Sequence, residues 1–207
     1  MRSDGAATMG PMAEEPERPR GTDLIGPLIP VCVLVAVMWV VEIVDTGLGG
    51  DLDRNGIVPR EVSGLDGILW FPFLHGGFGH LLANSLPFLL LGGAIALGSL
   101  ERFAFVTVVT MVVCGFGTWL TGPAHTVHIG ASGLVFGYLT YLLSRGVFAR
   151  HLGYLLGGVL VFFFYGGALW GLLPSPGVSW QGHLFGALGG ILAAWLLHSR
   201  RNTDDEP

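Results

Sequence analysis

The chain has 207 residues, of which 51% are hydrophobic and only 12% charged, with a formal net charge of −5. A soluble domain carries about 25% charged residues, so this composition excludes an ordinary soluble globule and points to a polytopic membrane protein. The acidic balance offers no basic surface for nucleic acid. Two cysteines, Cys32 and Cys114, form neither a disulfide framework nor a metal-ligand spacing, and both are expected to act as small packing residues.

In chain order, residues 1–23 are rich in Pro, Glu, Arg and Gly and are expected to form a disordered tail. They are too polar for a signal peptide, so the first apolar segment should remain as an anchor. About 20 apolar residues cross a bilayer as a helix. Six stretches qualify, at 25–44, 80–99, 103–120, 127–144, 150–173 and 180–198. They predict an all-α bundle of six transmembrane helices over residues 24–198, followed by a short tail at 199–207. A tight turn around Leu100-Glu101-Arg102 should join the second and third helices.

Every basic residue is an arginine. With the N-terminus inside, Arg2, Arg18, Arg20, Arg102, Arg145, Arg150, Arg200 and Arg201 face the cytoplasm, and only Arg54 and Arg60 lie outside. That distribution satisfies the positive-inside tendency and predicts two cytoplasmic termini in a plasma membrane. The compact six-span form suggests a bacterial one.

The second, fourth and sixth stretches then all start from the outer face. His80 and Asn84 open the second, Ser132 lies near the start of the fourth, and His183 near the start of the sixth. Polar and ionisable groups inside a membrane are costly and mark functional sites by default. Three distant parts of the sequence agree in depth, which scattered core residues have no reason to do. Small residues flank them, with Gly130, Gly133 and Gly137 around Ser132, and Gly182, Gly186 and Gly190 beside His183. Such residues allow close helix packing.

These residue types suit acyl transfer. A serine hydroxyl is a weak nucleophile until a base accepts its proton, and His183 can accept it and later protonate a leaving amine. His80 and Asn84, four residues apart, share one helix face and can donate to one oxyanion, with the Ser132 N–H as a third donor. Because no Asp or Glu lies in the relevant part of any span, a dyad is expected, not a triad. Glu42 and Asp45 are expected to be interfacial. Phe136, one turn after Ser132, is a candidate to hold the His183 ring, with Gly133 as a second supporting position.

The sequence resembles the rhomboid family of intramembrane serine proteases. The matching segments are His80-Leu-Leu-Ala-Asn84, Gly130-Ala-Ser132-Gly-Leu-Val-Phe-Gly137 and Gly182-His183-Leu-Phe-Gly-Ala-Leu-Gly-Gly190. The resemblance implies Ser132 as nucleophile, His183 as base, and His80 and Asn84 as the oxyanion-stabilising pair. It implies single-pass transmembrane proteins as substrates, cut near the outer membrane boundary, and neither metal nor nucleotide as cofactor. Phe136 stands where some relatives have Tyr, and the loop before the second span lacks their Trp-Arg pair. The rival class is a non-catalytic rhomboid-like protein that binds membrane helices. Such relatives usually lose the Ser or His that this chain keeps. A proton-coupled transporter is a weaker alternative, because it leaves the Gly-Ala-Ser-Gly segment unexplained.

Several features have plainer readings. The loop at 46–79, with Trp70-Phe-Pro-Phe-Leu-His75, is apolar enough to rest partly in the outer leaflet, and His75 is expected to shape the cavity entrance. Asp51, Asp53 and Asn55 imitate the start of a calcium loop. Position twelve is Val62, however, where a bidentate Glu is needed, so a solvated acidic turn is favoured. His125 and His128 are read as loop histidines near the cavity mouth. Phe162 to Tyr165 read as lipid-facing, core or gate residues. Trp119, Trp170 and Trp180 fit an outer aromatic belt.

Overall fold

The computed structural model describes residues 25–173, 175 and 177–198. The expectations for tails at 1–23 and 199–207 lie outside the described residues. Six helices follow the six predicted stretches in order. They are α1 (Ile29–Gly47, led in by a 3-10 turn at Gly26–Leu28), α2 (Phe78–Gly98), α3 (Leu100–Thr121), α4 (Ser132–Phe148), α5 (Leu152–Tyr165) and α6 (Trp180–His198). Among the described residues, four helices are long and apolar enough to cross a membrane: Gly26–Gly47, α2, α3 and α6. α4 has 17 residues and α5 has 14, or about 26 Å and 21 Å at the helical rise.

The largest departure from the hydropathy pattern is the start of α4. Residues 127–131 were expected in the helix but form an extended approach to it. His128 pairs antiparallel with Ile57 in the loop before α2, with N–H···O bonds of 3.0 Å in both directions. Gly130 then turns at φ +108°, a left-handed conformation that glycine tolerates and L side chains resist. The α5 stretch also ends early, passing into a 3-10 helix at Gly166–Leu172. Between α2 and α3 the break is Ser99 alone. Leu100 to Arg102 already belong to α3, and the Ser99 hydroxyl accepts from the Arg102 N–H at 3.2 Å, which satisfies one orphan donor of the helix start.

α4 is the central column, packed by α6, α3 and α5, and most of it is buried, including Tyr138, Leu139 and Tyr141. Its approach to α6 is backbone against backbone. A Cβ at Gly186 would strike the carbonyl of Gly133, and one at Gly190 would strike that of Gly137. Thr140 adds a hydroxyl donated to the Ala187 carbonyl at 2.7 Å. α1 and α2 close the other side of the core through Val31, Met38, Leu81, Phe88 and Ile95, against Phe103 and Val106 of α3. α2 widens into a π segment at Phe88–Gly92, directly after Pro87, as expected where proline removes a backbone donor.

The loop 48–77 is fastened near its middle to the end of α3. The Arg60 guanidinium donates to the carbonyl of Gly122 at 2.7 Å, and its N–H donates to Trp119 O at 3.0 Å. The Trp119 indole returns a bond to Glu61 O at 2.8 Å. Arg60 thus occupies the negative end of α3, a favourable place for a cation. Two expectations are corrected here. Glu42 and Asp45 are buried, not interfacial, at 3% and 4% exposure. They sit under this loop, where Asp45 accepts the Leu52 N–H at 2.7 Å. Of the cysteines only Cys114 is buried, while Cys32 lies exposed on α1.

Candidate active site

The closeness of α4 to α6 brings Ser132 and His183 together. Ser132 is the first residue of α4, and His183 lies one turn into α6. The Ser132 Oγ is 2.9 Å from His183 Nε2. On the far side of the ring, Nδ1 lies 2.7 Å from the Gly171 carbonyl. A carbonyl can only accept, so Nδ1 carries the proton, and Nε2 is left with a lone pair facing the serine hydroxyl. The Phe136 ring stacks on the imidazole at 4.2 Å between centroids, with 8° between planes. Imidazole orientation is therefore fixed by a backbone carbonyl on one edge and an aromatic face on one side.

His80 and Asn84, one turn apart on α2, line the same cavity as Ser132 and His183. The cavity measures about 960 Å³ and is also bordered by Thr126, His128, Ser179 and Gln181. The His80 ring lies against Gly130, where a Cβ would come within 2.8 Å of His80 Nε2 and 3.7 Å of Asn84 Nδ2. Asn84 is buried and its Nδ2 has no partner, which is costly unless something else accepts its hydrogens. Gly133 sits where three helices meet. A Cβ there would strike Cys114 Sγ, whose thiol donates to Gly182 O at 3.2 Å.

His75 is not at the cavity entrance. It is 1% exposed, accepts the Ala131 N–H on Nε2 at 3.3 Å and meets His80 edge-on at 5.1 Å. The neighbouring Gly130 N–H is bound to Phe71 O at 2.8 Å, so two successive amides before Ser132 are held by the loop 48–77. Burial, together with the neighbouring His80, lowers the His75 pKa to about 4, which keeps Nε2 free to accept. Of the other loop histidines, His128 borders the cavity and is buried, and burial lowers its pKa as well. His125 adopts a left-handed φ of 61° and lies outside the cavity lining.

Sequence reasoning missed Gly171 and Ser179. The first acts through a backbone carbonyl, which leaves no side-chain signature. The second does have a signal, as a serine directly before an apolar helix. Its hydroxyl accepts the Gly182 N–H at 3.3 Å.

The comparisons with known proteins agree with this architecture. The family model described as the Rhomboid domain matches residues 65–200. An uncharacterized protein of Mycobacterium tuberculosis is 42% identical over 200 residues, covering 90% of this chain and 80% of its own length. One from Mycobacterium leprae is 43% identical over 178 residues, covering 82% and 70%. A protein of Bacillus subtilis named "Putative rhomboid protease YdcA" is 33% identical over 126 residues, covering 59% and 62%. With a family model over more than half of its length and long, similar bacterial relatives, the chain belongs to the rhomboid family of membrane proteins.

Proposed function

We propose that this protein is an intramembrane serine endopeptidase that cleaves single-pass transmembrane proteins near the outer membrane boundary. The observation that carries the reading is the 2.9 Å contact between Ser132 Oγ and His183 Nε2 inside a cavity that His80 and Asn84 also line. In the proposed cycle Ser132 Oγ attacks the peptide carbonyl carbon while its proton passes to His183 Nε2. The resulting oxyanion is met by His80, Asn84 Nδ2 and the Ser132 N–H, donors aimed where charge develops. The C–N bond then breaks, and His183 returns the proton to the leaving amine. Water repeats the sequence to release the acyl group from Ser132.

The Gly171 carbonyl serves as the orienting partner that a carboxylate supplies in triads, so the catalytic pair is a dyad. No metal or nucleotide takes part in the proposed steps. A helical peptide bond is shielded by its own hydrogen bonds, so substrates should carry helix-weakening Gly or Pro and small residues at the cut site. All six helices cross a bacterial plasma membrane in this reading, with both termini in the cytoplasm. In a variant lacking Cys32 and Cys114, an impermeant thiol reagent applied from outside should label Arg54→Cys and spare Arg102→Cys. The reverse pattern would overturn the orientation. The activity is tested by cleavage of a single-pass substrate by the purified chain and its Ser132→Ala variant.

A further inference from the structure

The cavity contains a second histidine–serine contact that the proposed chemistry does not use. His128 Nδ1 is 2.6 Å from Ser179 Oγ, and His128 Nε2 is 2.9 Å from Thr126 Oγ1. The directions of these bonds can be assigned. The Thr126 hydroxyl donates to Pro123 O at 2.7 Å, so toward the imidazole it accepts, and Nε2 carries the proton. Nδ1 is then an acceptor, and the Ser179 hydroxyl donates to it. Ser179 in turn caps α6. Its Oγ accepts from the Gly182 N–H at 3.3 Å, and its carbonyl accepts from the His183 N–H at 3.1 Å.

The His128 backbone is itself fixed by its two bonds to Ile57, and a Cβ at Gly122 would come within 2.9 Å of its ring. His128 therefore links three separate segments: the loop before α2, the end of α3 and the first turn of α6. His183 belongs to that first turn. A 1 Å misplacement of a catalytic group can cost about 100-fold in rate, so the anchoring of this turn bears on the chemistry.

We propose that His128 is a positioning residue, which acts through the Ser179 hydroxyl to hold the first turn of α6 and so keeps His183 in register with Ser132. The inference rests on the protease reading. Burial favours the neutral ring that the accepting role requires.

The test compares the full chain in detergent with His128→Leu, His128→Asn, Ser179→Ala and the His128→Leu/Ser179→Ala double variant. Asn can present an amide oxygen to Ser179 in place of Nδ1, and Leu cannot. We expect kcat to fall about 10- to 100-fold in His128→Leu, with KM within about threefold, and the rate of Ser132 labelling by a small fluorophosphonate to fall in parallel. His128→Asn should recover much of the loss, and the double variant should be no worse than the more damaged single one. Amide hydrogen exchange should quicken at residues 180–186 and stay unchanged in α1 to α3, which separates local loosening from misfolding. Wild-type kcat in His128→Leu, a purely KM effect, or additive losses in the double variant would overturn the inference and leave the protease reading standing. A wild-type chain that neither cleaves substrate nor takes up the probe would overturn the reading itself, and the inference with it.

Discussion

The His183 Nδ1–H donates to the carbonyl of Gly171, 2.7 Å away, which leaves a bare Nε2 facing the Ser132 hydroxyl at 2.9 Å. One backbone carbonyl sets the tautomer that a serine–histidine pair needs. Gly171 lies in the 3-10 segment between α5 and α6, so the geometry of that connection reaches directly into the site.

A side chain at Gly171 should therefore be harmful. Its Cβ would come within 3.0 Å of Phe136 and 3.1 Å of His183 Nδ1, closer than ordinary packing. Gly171→Ala should lower kcat about tenfold or more with little change in folding. Phe136→Leu, which removes the stacked ring, should cost about 0.5–1.5 kcal/mol of positioning, or up to about tenfold in kcat. Steady-state cleavage of a transmembrane substrate checks both.

Asn84 presents a buried amide nitrogen without a partner to the cavity. In the proposed cycle it binds the oxyanion, so Asn84→Ala should lower kcat by about 100- to 1,000-fold with KM nearly constant. Because the group lacks a partner in the resting state, the variant should also melt no lower than wild type. A drop in melting temperature with unchanged kcat would assign Asn84 a structural role instead.

The contact of α4 with α6 predicts a steep dependence on side-chain size at Gly190. Any Cβ there meets the Gly137 carbonyl and lies near Thr140 Oγ1. Overpacking costs about 1–3 kcal/mol in ordinary cores, and here the obstacle is backbone. Gly190→Val should lower the melting temperature in detergent markedly, whereas Gly167→Ala, which meets nothing within 4 Å, should not.

Acid should loosen the loop 48–77 through His75. Its folded pKa of about 4, against an ordinary 6.5, means that the folded chain binds fewer protons than the unfolded one. This contribution is full above about pH 6.5 and is lost as pH falls toward 4. Asp53 works in the opposite sense. Burial and the nearby Asp45 and Glu42 raise its pKa to about 6, so its contribution is full below about pH 4 and is lost as pH rises through 6. Melting curves from pH 4 to 8 should show His75→Gln flattening the acid limb, and Asp53→Asn raising stability at pH 8 but not at pH 4.

Apolar runs and three short motifs made the helices and the candidate residues legible. α6 begins at Trp180, where hydropathy alone puts it. The start of α4 was not legible. It depends on His128 pairing with Ile57, some 70 residues away, and on the left-handed turn at Gly130, and neither leaves a trace in hydropathy. The role of His75 was misjudged for a related reason. Its place in the sequence suggests the loop surface, but closure of the loop onto Ala131 buries it. Glu42 and Asp45 were read as interfacial from their position near a helix end, and it is the loop folding back over them that takes them out of water. The Gly171 carbonyl could not be inferred from residue types at all, since every residue has one.

The central claim is that Ser132, activated by His183, cleaves peptide bonds within the membrane. It is tested most directly by incubating the purified wild-type chain, Ser132→Ala and His183→Ala with a single-pass substrate. Product should form only with wild type, while all three proteins melt alike. Cleavage that persisted in Ser132→Ala would contradict the account, and absence of cleavage by wild type across substrates with Gly- or Pro-weakened helices would favour a rhomboid-like protein that binds membrane helices without cutting them.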